Sequence, residues 1–171
     1  IRVGRGPADI AVGAGAVWVA NADGGSVSRI DPRTGRAAQI PVGVRQVLAL
    51  AIGEGGVWVA RAGGLVGDRV QVVRIDPRER KVMGDAIAVP GAVPLDLVAG
   101  HGIWVTDAGA SRSSARGGRG GVTRIDPGSG RIAAALRVGE RPSAIALGAG
   151  GVWVANEGDG TVSLIAVAQG R

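Results

Sequence analysis

Charged side chains, mainly arginines, are the groups that could support chemistry in this 171-residue sequence. It has 20 lysines and arginines against 14 aspartates and glutamates, a formal net charge of +6, one histidine and no cysteine. The missing cysteines exclude disulfides, thiolate metal sites and cysteine nucleophiles, and a single histidine excludes a multi-histidine metal site. We therefore predict no catalytic residues, no metal ligands and no cofactor, which leaves binding by carboxylates and guanidinium groups.

Asp9 and Asp96 are the carboxylates best placed for binding, because each opens a predicted β-strand just after a proline. Ala49 and Ala144 occupy the matching positions in two further repeats of the sequence. If the repeats with Asp9 and Asp96 face each other, both carboxylates approach the mouth of a central channel, where they can hold a cation or a basic ligand group. Hydrogen bonds from nearby backbone N–H groups are an equally good interpretation.

Arginines offer the complementary chemistry. Segments 61–70 and 107–121 together hold five arginines against two aspartates, and further arginines lie in the links between repeats. The candidate ligand-binding arginines are Arg5, Arg45, Arg141, Arg61, Arg69, Arg112, Arg116 and Arg119. A basic segment can bind an anionic polymer, a phosphate or an acidic protein. A solvated segment without a partner is an alternative of equal weight.

Four copies of one sequence unit must position these residues. Each copy has a tryptophan hexapeptide (AVWVAN, GVWVAR, GIWVTD, GVWVAN) followed by a segment such as SVSRIDPRTGR, and the tryptophans lie 40, 46 and 49 residues apart. β-Branched and small residues dominate, helical periodicity is missing, and turn residues recur at hairpin spacing, which predicts four short strands per unit. Four-stranded units that repeat about every 40–45 residues are typical of propeller blades.

We predict an all-β fold, a β-propeller of four four-stranded blade repeats in a single domain, 1–171. The predicted blades are 5–43, 44–90, 91–139 and 140–171, with residues 1–4 completing the last blade. That closure is suggested by Ile1–Gly4, which matches the end of the fourth strand elsewhere and would remove an exposed edge. The alternatives are part of a larger ring and two chains that pair into an eight-bladed ring, so the protein is a possible homodimer or part of a longer chain.

Length variation between the repeats falls in one place. From the isoleucine of each RID-type segment to the next tryptophan the spacing is 28, 29 and 28 residues, whereas from each tryptophan to its own repeat's isoleucine it is 12, 17, 21 and 12. The insertions therefore lie between the second and third strands, in 61–70 and 107–121. In a propeller these connections share one face with the links between blades, and variable loops on a rigid scaffold usually carry binding.

The repeated aromatic and polar residues favour structural roles. The tryptophans predict packing between blades, because each lies in a doubly apolar strand. Asp31, Asp76 and Asp126 each precede proline in a turn and predict Asx-turns. His101 lies between two glycines in a turn on the face opposite the variable loops and is interpreted as a solvated surface residue.

The motifs VWVAN, VSRIDP-x-TG and VG-x-x-P resemble the YVTN-type repeats of bacterial β-propellers over essentially the whole chain. The resemblance implies an extracytoplasmic protein. Relatives of this kind include free-standing propellers, sensor domains of membrane kinases and the streptogramin lyases, which use a histidine and acidic residues with a divalent metal.

The sequence thus predicts a non-catalytic, extracytoplasmic binding or sensory module. Its ligand, a small molecule or a protein, would bind on the face that carries loops 61–70 and 107–121. A lyase-type propeller enzyme is the first alternative, and a weak binder of nucleic acid or another anionic polymer is the second. Binding of nucleic acid is disfavoured because exposed aromatics for base stacking are missing. Since no apolar run approaches the roughly 20 residues that span a bilayer, we expect no membrane insertion by this segment.

Overall fold

The computed structural model of this chain describes residues 1–43, 46–62, 70–89, 94–107 and 119–167, without the side chains of residues 94, 95 and 119. These residues form fifteen β-strands, and no helix occurs among them. The strands make four antiparallel sheets arranged as a four-blade β-propeller, which confirms the predicted fold class.

Each blade is a meander in which consecutive strands pair. Blade 1 contains Pro7–Gly13 (β1), Ala16–Asn21 (β2), Ser26–Ile30 (β3) and Ala37–Pro41 (β4). Blade 2 contains Val47–Gly53 (β5), Gly56–Ala62 (β6), Val70–Asp76 (β7) and Lys81–Val89 (β8). Blade 3 contains Pro94–Ala99 (β9), Ile103–Asp107 (β10), Arg119–Ile125 (β11) and Ile132–Glu140 (β12). Blade 4 contains Pro142–Gly148 (β13), Gly151–Asn156 (β14) and Thr161–Ala166 (β15).

The turn chemistry of the sequence explains the meander. The turns between the first and second strands need a left-handed residue, and they place Ala14, Glu54 and His101 at φ of 47°, 49° and 53°. The turns between the third and fourth strands are the predicted Asx-turns, with Asp31 Oδ1 accepting hydrogen bonds from the backbone N–H groups of Arg33 at 2.8 Å and Thr34 at 3.2 Å. Asp76 and Asp126 make equivalent bonds, so that prediction is confirmed.

The core consists of three apolar seams, one between each pair of consecutive blades. The face of a blade that bears its tryptophan, here called the Trp face, packs against the opposite face of the next blade, its back face. In the first seam the Trp-face residues Ala16, Trp18 and Val27 contact Leu50 and Val59 of blade 2. Trp58 and Trp104 occupy the same place in the second and third seams. The predicted inter-blade packing is therefore confirmed for these three tryptophans, but it is wrong for Trp153, which is 39% exposed and belongs to no seam among the described residues.

Within the part of the chain that the structure describes, residues 1–4 do not pair with blade 4 as the predicted closure requires. Among the described residues, the sheet of blade 4 has three strands, and Ile1–Gly4 belong to no strand. Ile1–Gly4 instead lie along the back face of blade 1, where the backbone N–H of Gly4 donates to Ser28 Oγ at 3.2 Å. The inner strands contact in the order β1, β5, β9 and β13, with no comparable contact between β13 and β1 in the described part of the chain.

Candidate functional site

The links between blades and the connections between second and third strands lie on one face, here called the loop face. In blades 1 and 4 that connection is short, from Asn21 to Ser26 and from Asn156 to Thr161. In blades 2 and 3 it runs from Ala62 to Val70 and from Asp107 to Arg119. The strand bounds therefore place both insertions where the spacing predicts them, in two neighbouring blades.

The short connections are tied down from beneath by a buried asparagine. Asn21 Nδ2 donates to Ser26 Oγ at 3.2 Å and to Ser28 Oγ at 2.9 Å. Asn156 makes the same pair of bonds to hydroxyls in blade 4, both at 2.9 Å. A Cβ at Gly4 of the adjoining link would lie 2.6 Å from the Asn21 Cγ atom, so this close approach requires glycine. Side-chain hydrogen bonds thus join each of these two turns to the strand that follows it.

The equivalent position in blades 2 and 3 carries a charge. Arg61 and Asp107 replace the two asparagines at the end of the second strand, immediately before the long connections. Arg61 donates from Nε at 3.1 Å and from Nη2 at 2.9 Å to Gln71 Oε1, which holds its guanidinium against the sheet. Partial burial lowers the pKa of Arg61, although the group stays fully protonated at neutral pH. Asp107 is half-buried.

Sequence reasoning selected Arg61 but missed Asp107 and Gln71 as members of this site. The signal was available, because aligning the four hexapeptides puts Asn21, Arg61, Asp107 and Asn156 in one column. Opposite charges at the loop-face ends of neighbouring blades can orient a ligand that has both an acidic and a basic group.

Asp9 and Asp96 lie at the loop-face end of the innermost strands, β1 and β9. Asp9 Oδ1 accepts a hydrogen bond from the backbone N–H of Ile10 at 2.7 Å, and Oδ2 accepts one from Leu50 of blade 2 at 2.8 Å. Asp96 repeats the arrangement, accepting from Leu97 at 2.8 Å and from Ile145 of blade 4 at 3.0 Å. Two carboxylates thus bind four equivalent amides, one in each blade, which explains why Ala49 and Ala144 suffice in the other two.

The carboxyl of Asp96 lies in a partly buried environment. Burial raises the pKa of the Asp96 carboxyl, opposed by its hydrogen bonds from Ile145 and Leu97, and the negative charge of Asp9 raises it further. The two carboxylates therefore influence each other electrostatically. This pair of carboxylates is here called the acidic floor, and each of its oxygens keeps one lone pair beyond its bond to the backbone.

The remaining candidate arginines are distributed as follows. Arg5 is exposed, and its carbonyl oxygen accepts from the N–H of Gly24 at 3.2 Å, while Arg141 is exposed and forms an ion pair with Glu157 at 2.8 Å. Arg119 begins β11. Arg45, Arg69, Arg112 and Arg116 lie outside the described residues. The structure therefore gives Asp9 and Asp96 equivalent roles in two blades and leaves Arg5 and Arg141 in separate links.

The face opposite the loop face uses its polar residues in structural bonds. His101 is exposed in the β9–β10 turn, and its carbonyl oxygen accepts from Arg124 Nε at 2.9 Å. Arg29, Arg74 and Arg124 stack over Trp18, Trp58 and Trp104 at 5.8, 5.4 and 5.3 Å from the ring centroids. Each of these arginines covers the tryptophan that is its cross-strand partner in its own blade.

Two open clefts that the sequence did not predict lie on this opposite side of the seams. One, of about 760 Å³ between blades 1 and 2, is lined by Arg29, Asp76, Arg78 and Arg80 among others. The second, of about 620 Å³ between blades 2 and 3, includes Arg74, Asp85 and Arg131. Both clefts mix acidic and basic side chains at the rim of a seam.

We also searched the described part of the chain for metal sites and for membrane-spanning helices. It contains no group of three or more histidine, cysteine, aspartate or glutamate side chains that could hold a metal ion. No helix long and apolar enough to cross a membrane occurs in the same residues.

Comparison with known proteins supports the fold and says nothing about the function. The sequence matches no protein-family model and no curated protein sequence. Among solved structures, the hydrazine synthase of Kuenenia stuttgartiensis is similar at a TM-score of 0.67 and 18% identity, over 97% of this chain and 52% of that chain. The computationally designed Ika4 protein is similar at a TM-score of 0.67 and 18% identity, over 98% of this chain and 94% of that chain. The chain thus spans about half the length of the hydrazine synthase chain.

Proposed function

We propose that this protein is a non-catalytic β-propeller of the YVTN type, an extracytoplasmic binding or sensory module that takes its ligand on the loop face. The observation that carries the proposal is the placement of Arg61 and Asp107 at the base of two long connections in neighbouring blades. Blades 1 and 4 have short, asparagine-tied turns at the same position, so one half of the loop face differs in chemistry from the rest.

Charge indicates the class of ligand. Arg61 and the arginines of the two insertions outnumber Asp68 and Asp107 by five to two, which favours a ligand with an acidic group. The floor formed by Asp9 and Asp96 favours a basic group on the same ligand, toward the axis. A peptide segment or a small zwitterion satisfies both requirements.

The lyase alternative has less support. Such an enzyme needs a histidine beside acidic residues, and His101 lies in a turn on the face opposite Asp9 and Asp96. No observation in the described residues favours nucleic acid over any other anion.

A charge-matched comparison tests the loop face. The first variant replaces Arg112, Arg116 and Arg119 by glutamine, and its control replaces the exposed Arg33, Arg78 and Arg131 of the opposite face. Binding of a glutamate-rich peptide and of a heparin oligosaccharide is measured by fluorescence anisotropy at physiological salt. We expect at least a tenfold weaker affinity, about 1.4 kcal/mol, for the first variant and less than a twofold change for the control.

Equal losses in the two variants would contradict the proposal, because they would show that net charge alone attracts the probe. Binding that disappears between low and moderate salt leads to the same conclusion. If neither probe binds the unmodified protein, the assignment of an acidic ligand is wrong.

A further inference from the structure

The four blades present the same two faces, but in the described residues a neighbouring blade covers only three of the four copies of each face. Inside the chain, each Trp face meets the back face of the next blade. The Trp face of blade 4 and the back face of blade 1 have no such neighbour among the described residues. These two surfaces, here called the end faces, are the two halves of one further seam.

The end face of blade 4 is apolar and exposed. Trp153 is 39% exposed, whereas Trp18, Trp58 and Trp104 are at most 3% exposed. Val162 is 63% exposed, whereas its equivalents Val27, Val72 and Val122 are at most 1% exposed. Leu164 is 49% exposed and takes the position that Arg29, Arg74 and Arg124 hold in the other blades. This end face is therefore more apolar than the three Trp faces that the chain already buries.

The end face of blade 1 shows the complementary exposure. Ile10 is 63% and Val12 is 79% exposed. The residues equivalent to Ile10 are Leu50, Leu97 and Ile145, and each is at most 6% exposed because a Trp face covers it. Isolated exposed apolar residues are ordinary, but a contiguous patch of β-branched and aromatic side chains on a soluble protein marks an interface.

Residues 1–4 already occupy the position of an outer strand that belongs to a preceding blade. Ile1, Val3 and Gly4 are equivalent to Ile40, Val42 and Gly43, and Ile40 and Val42 lie in the seam over the back face of blade 2. Ile1–Gly4 take the corresponding position over blade 1, with Gly4 bonded to Ser28. In the described part of the chain, β15 pairs with β14 alone, so the sheet of blade 4 lacks the strand that Ile1–Gly4 supply.

We propose that the end face of blade 4 docks on the end face of blade 1 of a second copy of this chain. In that contact, residues 1–4 of the partner add to β15 as the fourth strand, in the register of Val27 and Ile40, which pairs Val162 with Ile1 of the partner. Two copies joined in this way cover all four end faces and make a ring of eight blades, within the range of known propellers, whereas three copies exceed it. The proposal is independent of the ligand on the loop face.

Solution mass gives the first test. We expect the unmodified chain to have twice its 17.0 kDa mass by light scattering at micromolar concentration. Replacing Val162 and Leu164 by aspartate puts two charges into the seam and is expected to halve the mass while the protein stays folded by circular dichroism. The control, with aspartates at the exposed Thr34 and Ser129, is expected to keep the doubled mass. A monomeric unmodified chain, or an equal effect of both variants, would overturn the proposal.

Cross-linking distinguishes a second copy from the chain's own first blade. Because the sequence has no cysteine, Ile1→Cys and Val162→Cys can be made in separate chains and treated with a short bismaleimide. We expect a covalent dimer when the two variants are mixed and none from either alone. The double variant in one chain is expected to give covalent dimers at low concentration. An internally cross-linked monomer from that double variant would show that the chain closes on itself and would refute the two-copy ring.

Discussion

Blades 2 and 4 are built from the same repeat, and they differ mainly in what lies beside them. Both place a tryptophan in the middle of the second strand, and both bond its Nε1 to a backbone carbonyl oxygen of the preceding turn at 3.1 Å. In blade 2, Trp58 and Val72 are buried because blade 3 covers them. In blade 4, Trp153 and Val162 face solvent. The tryptophan motif therefore fixes the strand and its hydrogen bond, while burial depends on a neighbouring blade.

The difference shows that apolar packing in the seams between blades stabilises this fold. A single blade has no core of its own, since each apolar cluster takes side chains from two blades. In such a linear array the stability is approximately a sum of repeat and interface contributions. Substitutions at equivalent positions should then differ in effect according to the seam that they touch.

Truncating the two tryptophans is the largest expected effect and the direct way to break the comparison. Trp58→Ala should lower the free energy of unfolding by about 3–5 kcal/mol, because it leaves a cavity in a covered seam. Trp153→Ala should cost less than half as much at concentrations where the chain is monomeric. Urea denaturation monitored by circular dichroism measures both. Equal costs at those concentrations would mean that the end face of blade 4 is covered within the chain.

Removing a carboxylate that joins two blades should have the next largest effect. Asp9→Ala leaves the backbone N–H groups of Ile10 and Leu50 without their acceptor, and one unsatisfied, partly buried donor costs about 1–3 kcal/mol. The matched control is Asp23→Ala on an exposed turn, which should change the free energy of unfolding by less than about 0.5 kcal/mol. If both variants melt at the same temperature, water replaces the carboxylate and the tie between blades 1 and 2 is not structural.

Acid titration should separate an inter-blade carboxylate from an exposed one by the sign of its effect. Burial raises the pKa of Asp96 in the folded chain, so its stabilising contribution is full below the unfolded pKa of about 3.9 and is lost as the pH rises through the folded value. Hydrogen bonds, that of the Thr161 hydroxyl first, lower the pKa of Asp159, so its contribution is present above the unfolded pKa and is lost as the pH falls.

The measurement is the difference in unfolding free energy between the unmodified protein and each of Asp96→Asn and Asp159→Asn, from pH 3 to 7. This difference should shrink with rising pH for Asp96 and grow for Asp159. Parallel trends would contradict the assigned environments of the two groups.

Shortening a loop should have the smallest effect on the free energy of unfolding. It tests whether the long connections contribute to the difference in stability between blades. Replacing 107–121 by a turn like that between Asn156 and Thr161 should leave the unfolding free energy level or raise it by up to about 1 kcal/mol, because a shorter loop costs less entropy to close. Differential scanning calorimetry checks this, and affinity for the glutamate-rich peptide should fall. Unfolding or aggregation of the shortened chain would show that the loop is packed and that the loop face is the wrong site.

The periodic features of the fold could be predicted from the sequence because they recur. The four tryptophan hexapeptides and the Asp-Pro turns predict strand order, Asx-turns and the face that carries the insertions. The stacking of Arg29 on Trp18 was within reach as well, since a hairpin of known length makes them cross-strand partners.

Other features depend on contacts between blades that no local pattern reveals. Asp9 binds Leu50, which is 41 residues away, only because β1 and β5 lie side by side. The exposure of Trp153 depends on a neighbouring blade, which its own hexapeptide cannot indicate, since the first five residues are the same GVWVA as in blade 2. Sequence equivalence predicts that residues 1–4 act as an outer strand, but it does not state which blade they lie beside.

The two shared carboxylates make a pair of blades, and not one blade, the smallest interchangeable module of this molecule. Asp9 serves blades 1 and 2, and Asp96 serves blades 3 and 4. A recombination event that removed blade 2 alone would place Asp9 beside blade 3, whose amide at Leu97 already has an acceptor in Asp96. One that removed blade 1 alone would leave the amide of Leu50 without its acceptor. Gene duplication or loss in steps of two preserves every bond, so the parity of the blade number is under a physical constraint that its absolute value is not.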